Sequence, residues 1–93
     1  MNVTLNVLAQ QLKLTFANIL KQNHDEPKIR FEKKRFAGHI LAISFTYPCD
    51  WPEASYSEMN AALLSLHHAG YIFYGANSVT INEKLFESVS AAV

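Results

Sequence analysis

The side chains that could take part in catalysis are few and widely spaced along this chain. His67 and His68 are neighbours, so on a helix they would project about 100° apart and could not both face one metal ion, as an i, i+4 pair would. An imidazole near a helix C-terminus is favoured by the helix dipole. We therefore interpret the pair as a helix-end feature rather than a metal or catalytic site.

The other two histidines have no partner at a meaningful spacing. His24 or His39 could join Cys49 and Asp50 only if folding brought them together, and no motif supports a cysteine nucleophile. The sequence also has no glycine-rich phosphate loop, no paired cysteines, no H-E-x-x-H and no G-x-S-x-G. We expect a protein that is not an enzyme and has no cofactor or metal site.

The remaining candidate for a catalytic site is a cluster of cationic residues. Lys33, Lys34, Arg35 and His39 are residue types that a small ribonuclease-like toxin could place around a phosphate. Nothing in their spacing fixes such a geometry, so we interpret the cluster as the exposed end of a hairpin.

The clearest structural signal begins at Ser55. Ser55 and Glu58 have the spacing of a capping box, in which each side chain accepts a hydrogen bond from the other residue's backbone N–H. Apolar residues then recur at helical spacing until Gly70, which can adopt the left-handed backbone that follows a last turn. This pattern predicts a helix that ends at Gly70.

A hairpin should follow that helix. Residues 71–74 and 79–81 are rich in aromatic and β-branched side chains, with the turn formers Gly75, Asn77 and Ser78 between them. Its first strand is apolar on both faces, so we expect a partner or a second layer of the chain on each side. Asn82 then caps a closing helix over residues 83–89.

The N-terminal region fits three patterns. A stripe of apolar residues favours one helix over residues 5–22 that packs on a sheet. Residues 2–7 also alternate as a strand does. A third interpretation splits the region into helices over residues 8–12 and 16–20, a spacing that faintly resembles a helix-turn-helix motif.

Two strands should follow Pro27, which disfavours helical geometry at the residue before it. Residues 29–35 alternate between apolar and charged side chains, Gly38 provides a bend, and residues 39–47 alternate again. The second strand is expected to be central and to place Leu41 and Ile43 on one face.

These elements predict a small α+β fold in the order α-β-β-α-β-β-α, with one antiparallel sheet built from two hairpins and helices packed on it. With 93 residues, the chain forms one domain spanning positions 1–93. No apolar run reaches the roughly 20 residues of a membrane span, and the start lacks the features of a signal peptide. With Cys49 as the single cysteine, these features favour the cytoplasm.

Charge is divided along the chain although the net charge is zero. Through Arg35 there are seven Lys and Arg against three Asp and Glu, and after it one against five. Such an electrical dipole could steer an acidic partner or favour self-association. The overall basic charge usual in a nucleic-acid binder is missing.

Residues 63–72, Leu-Leu-Ser-Leu-His-His-Ala-Gly-Tyr-Ile, have the leucine pattern, the glycine and the following strand through which the unit from Ser55 to Asn82 resembles the recognition helix and wing of a winged-helix domain. The resemblance covers less than a third of the chain and implies a DNA-binding transcriptional regulator. That alternative function would use cations and amides along the first hairpin, the helix and the wing. Its candidate residues are Lys28, Arg30, Lys33, Lys34, Arg35, Asn60 and Asn77.

Our preferred expectation is a small non-enzymatic module that binds another protein. Hydrophobic residues make up 49% of the chain and charged residues only 17%, which is more apolar surface than one small core needs. The aromatic residues best suited to anchor a partner are Trp51, Tyr71, Phe73 and Tyr74. We expect an inhibitor or adaptor of the kind carried by mobile elements, acting as a homodimer.

Overall fold

The computed structural model describes residues 3–22 and 27–85. Two long helices, α1 (Val3–Gln22) and α2 (Tyr56–His68), accompany four strands. The strands are β1 (Lys28–Phe36), β2 (His39–Phe45), β3 (Ile72–Tyr74) and β4 (Ser78–Ile81). They form one antiparallel sheet in the order β2-β1-β4-β3. The predicted α+β fold is confirmed, and the order of its elements agrees with the prediction as far as the described residues reach.

Helix α1 is a single helix, because its apolar stripe can be buried only if the turns are continuous. Leu8, Leu12, Phe16, Ile19 and Leu20 on this stripe are all buried. The strand alternative for residues 2–7 is wrong from Val3 onward, and the split into two short helices is wrong throughout. No described residue of α1 breaks the helix.

Helix α2 begins and ends where the sequence predicts. The backbone N–H of Glu58 donates to Ser55 Oγ at 3.3 Å, and the N–H of Ser55 donates to Glu58 Oε1 at 3.3 Å, which is the reciprocal capping box. At the other end Gly70 has φ +83°, and the N–H of Tyr71 donates to the carbonyl of Leu66 at 3.1 Å. This pairing is a Schellman motif, which satisfies the last carbonyls of the helix.

The first hairpin turns at Ala37 and Gly38, which both have positive φ, 51° and 81°. Two such residues between paired strands form the type I′ turn that matches strand twist. Strand β2 is shorter than the predicted 39–47 and lies at the edge of the sheet, so the expectation that it is central is wrong. The reason is that β1 is paired on both sides, with β2 and with β4.

A bulge changes which side chains of β2 face the core. Arg35 pairs with Ile40 and Lys34 pairs with Ala42, which leaves Leu41 as an extra residue between them. Leu41 is consequently 55% exposed while Ile43 is buried. The strict alternation predicted for this strand fails at Leu41.

Both helices pack on the same face of the sheet. That inner face carries the buried side chains Ile29, Phe31, Ile43, Ile72, Val79 and Ile81, and they meet Leu63 of α2 and Phe16 of α1 in one core. The opposite, outer face has no helix on it among the described residues. Within the described ranges, the second hairpin is therefore covered on its inner side only.

The chain becomes helical again directly after β4. Asn82 caps this turn, since the N–H of Lys84 donates to Asn82 Oδ1 at 3.0 Å. The predicted closing helix is described only for residues 83–85, and its remainder lies outside the described residues, as does His24. No helix within residues 3–22 or 27–85 combines the length and apolarity that crossing a bilayer demands.

Candidate functional site

The histidines do not assemble into a catalytic group in the described part of the chain. His67 Nδ1 accepts the backbone N–H of Tyr74 at 3.2 Å, while His68 is exposed. His39 begins β2 at the hairpin turn and Cys49 follows the other end of that strand, so roughly 20 Å of strand separates them. Among residues 3–22 and 27–85, no three His, Cys, Asp or Glu side chains converge as metal ligands.

The Cys49 thiol is poorly suited to nucleophilic attack. Partial burial, and then the negative charge of Asp50, raise the pKa of Cys49 above its ordinary value. A raised pKa leaves a thiol rather than a thiolate at neutral pH, and the thiolate is the reactive form. The described residues thus offer Cys49 no activating partner.

Of the four aromatic residues predicted to bind a partner, two are held by the protein's own core. The Trp51 ring stacks on Phe45 with centroids 4.1 Å apart, and Trp51 Nε1 donates to the carbonyl of Tyr47 at 2.8 Å. The Tyr74 hydroxyl donates to Asn60 Oδ1 at 2.8 Å, and burial, followed by the effect of Tyr56, raises its pKa. These contacts give both residues a structural role.

Tyr71 and Phe73 are placed differently from each other. Tyr71 precedes β3, and the Lys13 ammonium lies 4.5 Å from its ring centroid. Phe73 lies on the outer face of the sheet and is 63% exposed, with the ring of His67 at 5.6 Å. Partner binding by these four residues stays a prediction, and Phe73 is the member with most of its side chain in solvent.

A more complete candidate for protein binding is the edge strand β2. Its seven residues, His-Ile-Leu-Ala-Ile-Ser-Phe, include no Lys, Arg, Asp or Glu, whereas β1 has Lys or Arg at five positions. Natural proteins usually protect edge strands with charges, prolines or bulges, because an open edge invites another strand. Here the bulge at Leu41 covers only the end near the turn, and residues 42–45 stay regular.

At two residues of β2, Ile43 and Phe45, the backbone N–H and C=O groups point away from the sheet. The N–H of Phe31 donates to Asn77 on the β4 side, and the N–H of Thr46 donates to Arg30. In an antiparallel ladder, hydrogen-bonded and non-hydrogen-bonded residue pairs alternate. Phe31 directs its N–H toward β4, so its pair with Phe45 is a non-hydrogen-bonded one. Phe45, and Ile43 two residues before it, therefore direct their N–H and C=O groups away from β1. No strand within the described ranges pairs with them.

A groove runs beside the same edge. It is lined by residues 42–45 of β2, by residues 51–54 of the following loop and by Met59 of α2, with a volume of about 440 Å³. Lys34 and Glu53 also line it. The groove therefore lies between β2, the 51–54 loop and α2.

The residues of the DNA-binding alternative do not form one surface. Lys28, Arg30 and Lys34 alternate on the outer face of β1, but the Lys33 ammonium lies 5.9 Å from the Tyr56 ring on the inner side. Arg35 is exposed beside the turn. The two amides are elsewhere: Asn60 is bound to Tyr74, and Asn77 lies in the turn between β3 and β4.

Helix α2 and the β3–β4 hairpin follow each other in the order expected from the winged-helix resemblance, but the helix has no Lys or Arg. Helix α2 contains Glu58 and no Lys or Arg, and residues 46–55 before it are not helical. A recognition helix of this composition cannot neutralise phosphates. The chain matches no protein-family model, no curated protein and no solved structure.

Proposed function

We propose that this chain is a small non-enzymatic protein-protein interaction module that pairs with a second copy of itself through β2. The observation that carries this proposal is an uncharged edge strand whose outward N–H and C=O groups at Ile43 and Phe45 have no partner strand among the described residues. Strand addition at such an edge is a common mode of protein recognition, in which backbone hydrogen bonds supply affinity.

The edge is self-complementary. A two-fold axis through Ser44 places Ile43 of one copy opposite Phe45 of the other, and the reverse. Each of these pairs exchanges two backbone hydrogen bonds, so the two sheets become one continuous sheet. In such a dimer the outward backbone groups of β2 are hydrogen-bonded in both copies, and the same surface is buried on each, as a two-fold axis requires.

Ser44 provides a specific test because it lies on the axis. The substitution Ser44→Lys places a cation opposite Glu32 within the monomer, and opposite charges across a strand pair are favourable by about 0.2–1 kcal/mol. In the dimer the two lysines would face each other directly, which is unfavourable. We expect the natural chain to sediment as a dimer at micromolar concentration and Ser44→Lys as a monomer.

The matched control is Ser65→Lys, which makes the same substitution at an exposed position of α2. This variant should remain dimeric, and both variants should show unchanged circular dichroism and thermal midpoint when diluted. A natural chain that stays monomeric up to high micromolar concentration would overturn the proposal. A Ser44→Lys variant that dimerises as strongly as Ser65→Lys would place the interface elsewhere.

A further inference from the structure

The outer face of the sheet combines cations, hydroxyl groups and an aromatic ring on one open surface. Its charged members on β1 are Lys28, Arg30, Glu32 and Lys34, all exposed. The neighbouring strands add Phe73, Ser78 and Thr80. Both long helices lie on the other side, so this surface is a platform rather than part of the core. We propose that the outer face binds single-stranded nucleic acid.

The strand register places the aromatic ring beside the cations. Phe73 pairs with Thr80, and Thr80 pairs with Lys28, so the three lie in one row across β3, β4 and β1. Adjacent strands are about 4.8 Å apart, which puts the Phe73 backbone roughly 10 Å from the Lys28 backbone. In the next row Ser78 pairs with Arg30. A base stacked on the ring would leave its phosphates within reach of these long cationic side chains.

The Phe73 ring is both exposed and supported. The His67 ring meets it at 5.6 Å with an interplanar angle of 68°, and 63% of the side chain remains accessible. An aromatic side chain on an open sheet is the feature on which single-stranded bases stack, and the stacking tolerates any sequence because every base has a π-face.

Within residues 3–22 and 27–85, the cations of the outer face have no side-chain partner. No ion pair or hydrogen bond joins the side chains of Lys28, Arg30 or Lys34 to another described residue. Glu32 is the one acid among them, and it lies opposite Ser44. The surface thus has more positive than negative charge, in a chain whose net charge is zero, which is the charge complement of a sugar-phosphate backbone.

A single strand fits this surface better than a duplex. A duplex hides its bases and is read by an element that enters a groove, while this face, among the described residues, is a sheet without a projecting cationic helix. An extended strand can place bases against Phe73 and phosphates against the β1 cations together. The inference is independent of self-association, which uses the edge of β2 and not this face.

The decisive experiment measures fluorescence anisotropy of labelled oligothymidine and oligouridine, with a duplex of equal length for comparison, over a series of salt concentrations. Three phosphate contacts predict a slope of log affinity against log salt of about −2, since each single-strand contact contributes about −0.7. Both single strands should bind more tightly than the duplex. Equal or tighter binding of the duplex would contradict the proposal.

Two double variants test whether binding depends on the outer-face cations or only on the net charge of the protein. Lys28→Gln with Arg30→Gln should weaken binding and flatten the salt slope by about 1.4. Lys21→Gln with Lys33→Gln removes the same charge away from the outer face and should leave the affinity within about twofold. Glu32→Gln should tighten binding several-fold, because it removes the repulsive charge that lies between the cations of β1.

The aromatic contribution has its own readout. Phe73→Ala should weaken binding by about tenfold, the order of one lost stacking contact, with an unchanged salt slope. Phe73→Trp should restore it. If Phe73→Ala has no effect and inorganic polyphosphate competes as well as the oligonucleotide, the outer face is only a polyanion patch and the proposal is wrong.

Discussion

The substitution Trp51→Ala tests whether this tryptophan stabilises the fold or serves a partner. In the structure its ring stacks on Phe45 at 4.1 Å, meets the edge of Phe16 at 5.7 Å and donates a hydrogen bond to Tyr47 at 2.8 Å. Each aromatic contact contributes about 0.5–1.5 kcal/mol beyond its buried area, and the hydrogen bond about 0.5–1.5 kcal/mol. The expected loss in free energy of unfolding is therefore about 1.5–4.5 kcal/mol.

Urea unfolding followed by circular dichroism measures this loss without relying on the tryptophan's own fluorescence. For a domain of this size, each kcal/mol lowers the thermal midpoint by roughly 4–8 °C. The control is Trp51→Phe, which keeps an aromatic ring in the stack and loses the hydrogen bond, at a cost of about 0.5–1.5 kcal/mol. A loss below about 0.5 kcal/mol for Trp51→Ala, typical of a surface substitution, would refute the structural role and return Trp51 to the set of partner-binding residues.

Four further outcomes follow from local geometry. Ser55→Ala should cost about 1 kcal/mol of unfolding free energy in urea titrations, while Ser55→Thr keeps the cap and most of that stability. Ala37→Asn should raise stability by about 0.5–1 kcal/mol, because asparagine tolerates the left-handed turn better than alanine, and an unchanged urea midpoint would contradict this. Gly70→Ala should cost about 1–2 kcal/mol through its backbone alone, since the nearest atom to the added Cβ would be 3.5 Å away. Burial, and then Tyr56, raise the pKa of Tyr74, so its stability contribution is complete below the unfolded pKa of about 10 and is lost as pH rises through the native pKa. Tyr74→Phe should remove that alkaline decline in urea titrations.

Local features were readable from the residues because their causes lie within a few positions of each other. The capping box at Ser55 needs only Glu58 three residues later, and the helix end at Gly70 needs only a residue that tolerates positive φ. The turn before His39 and the cap at Asn82 belong to the same class. The expectation of a homodimer arose from apolar excess, and it remains a prediction with a specific edge now attached to it.

What the sequence could not supply is the pairing of strands far apart in the chain. Nothing in residues 28–31 shows that they pair with residues 77–81, yet this contact makes β1 central and leaves β2 at the edge. The bulge at Leu41 and the burial of Trp51 depend on that arrangement too.

The sequence by itself therefore determined the limits of α2, the turns and the alternation of β1, and it favoured a helix among three interpretations of the N-terminal region. Only the tertiary structure decided which strand edge stays open, which aromatic residues fill the core, and that Phe73 shares a face with Lys28 and Arg30. The physical reason is that capping and turn formation are local, while strand order is chosen by burial of apolar faces across the whole chain.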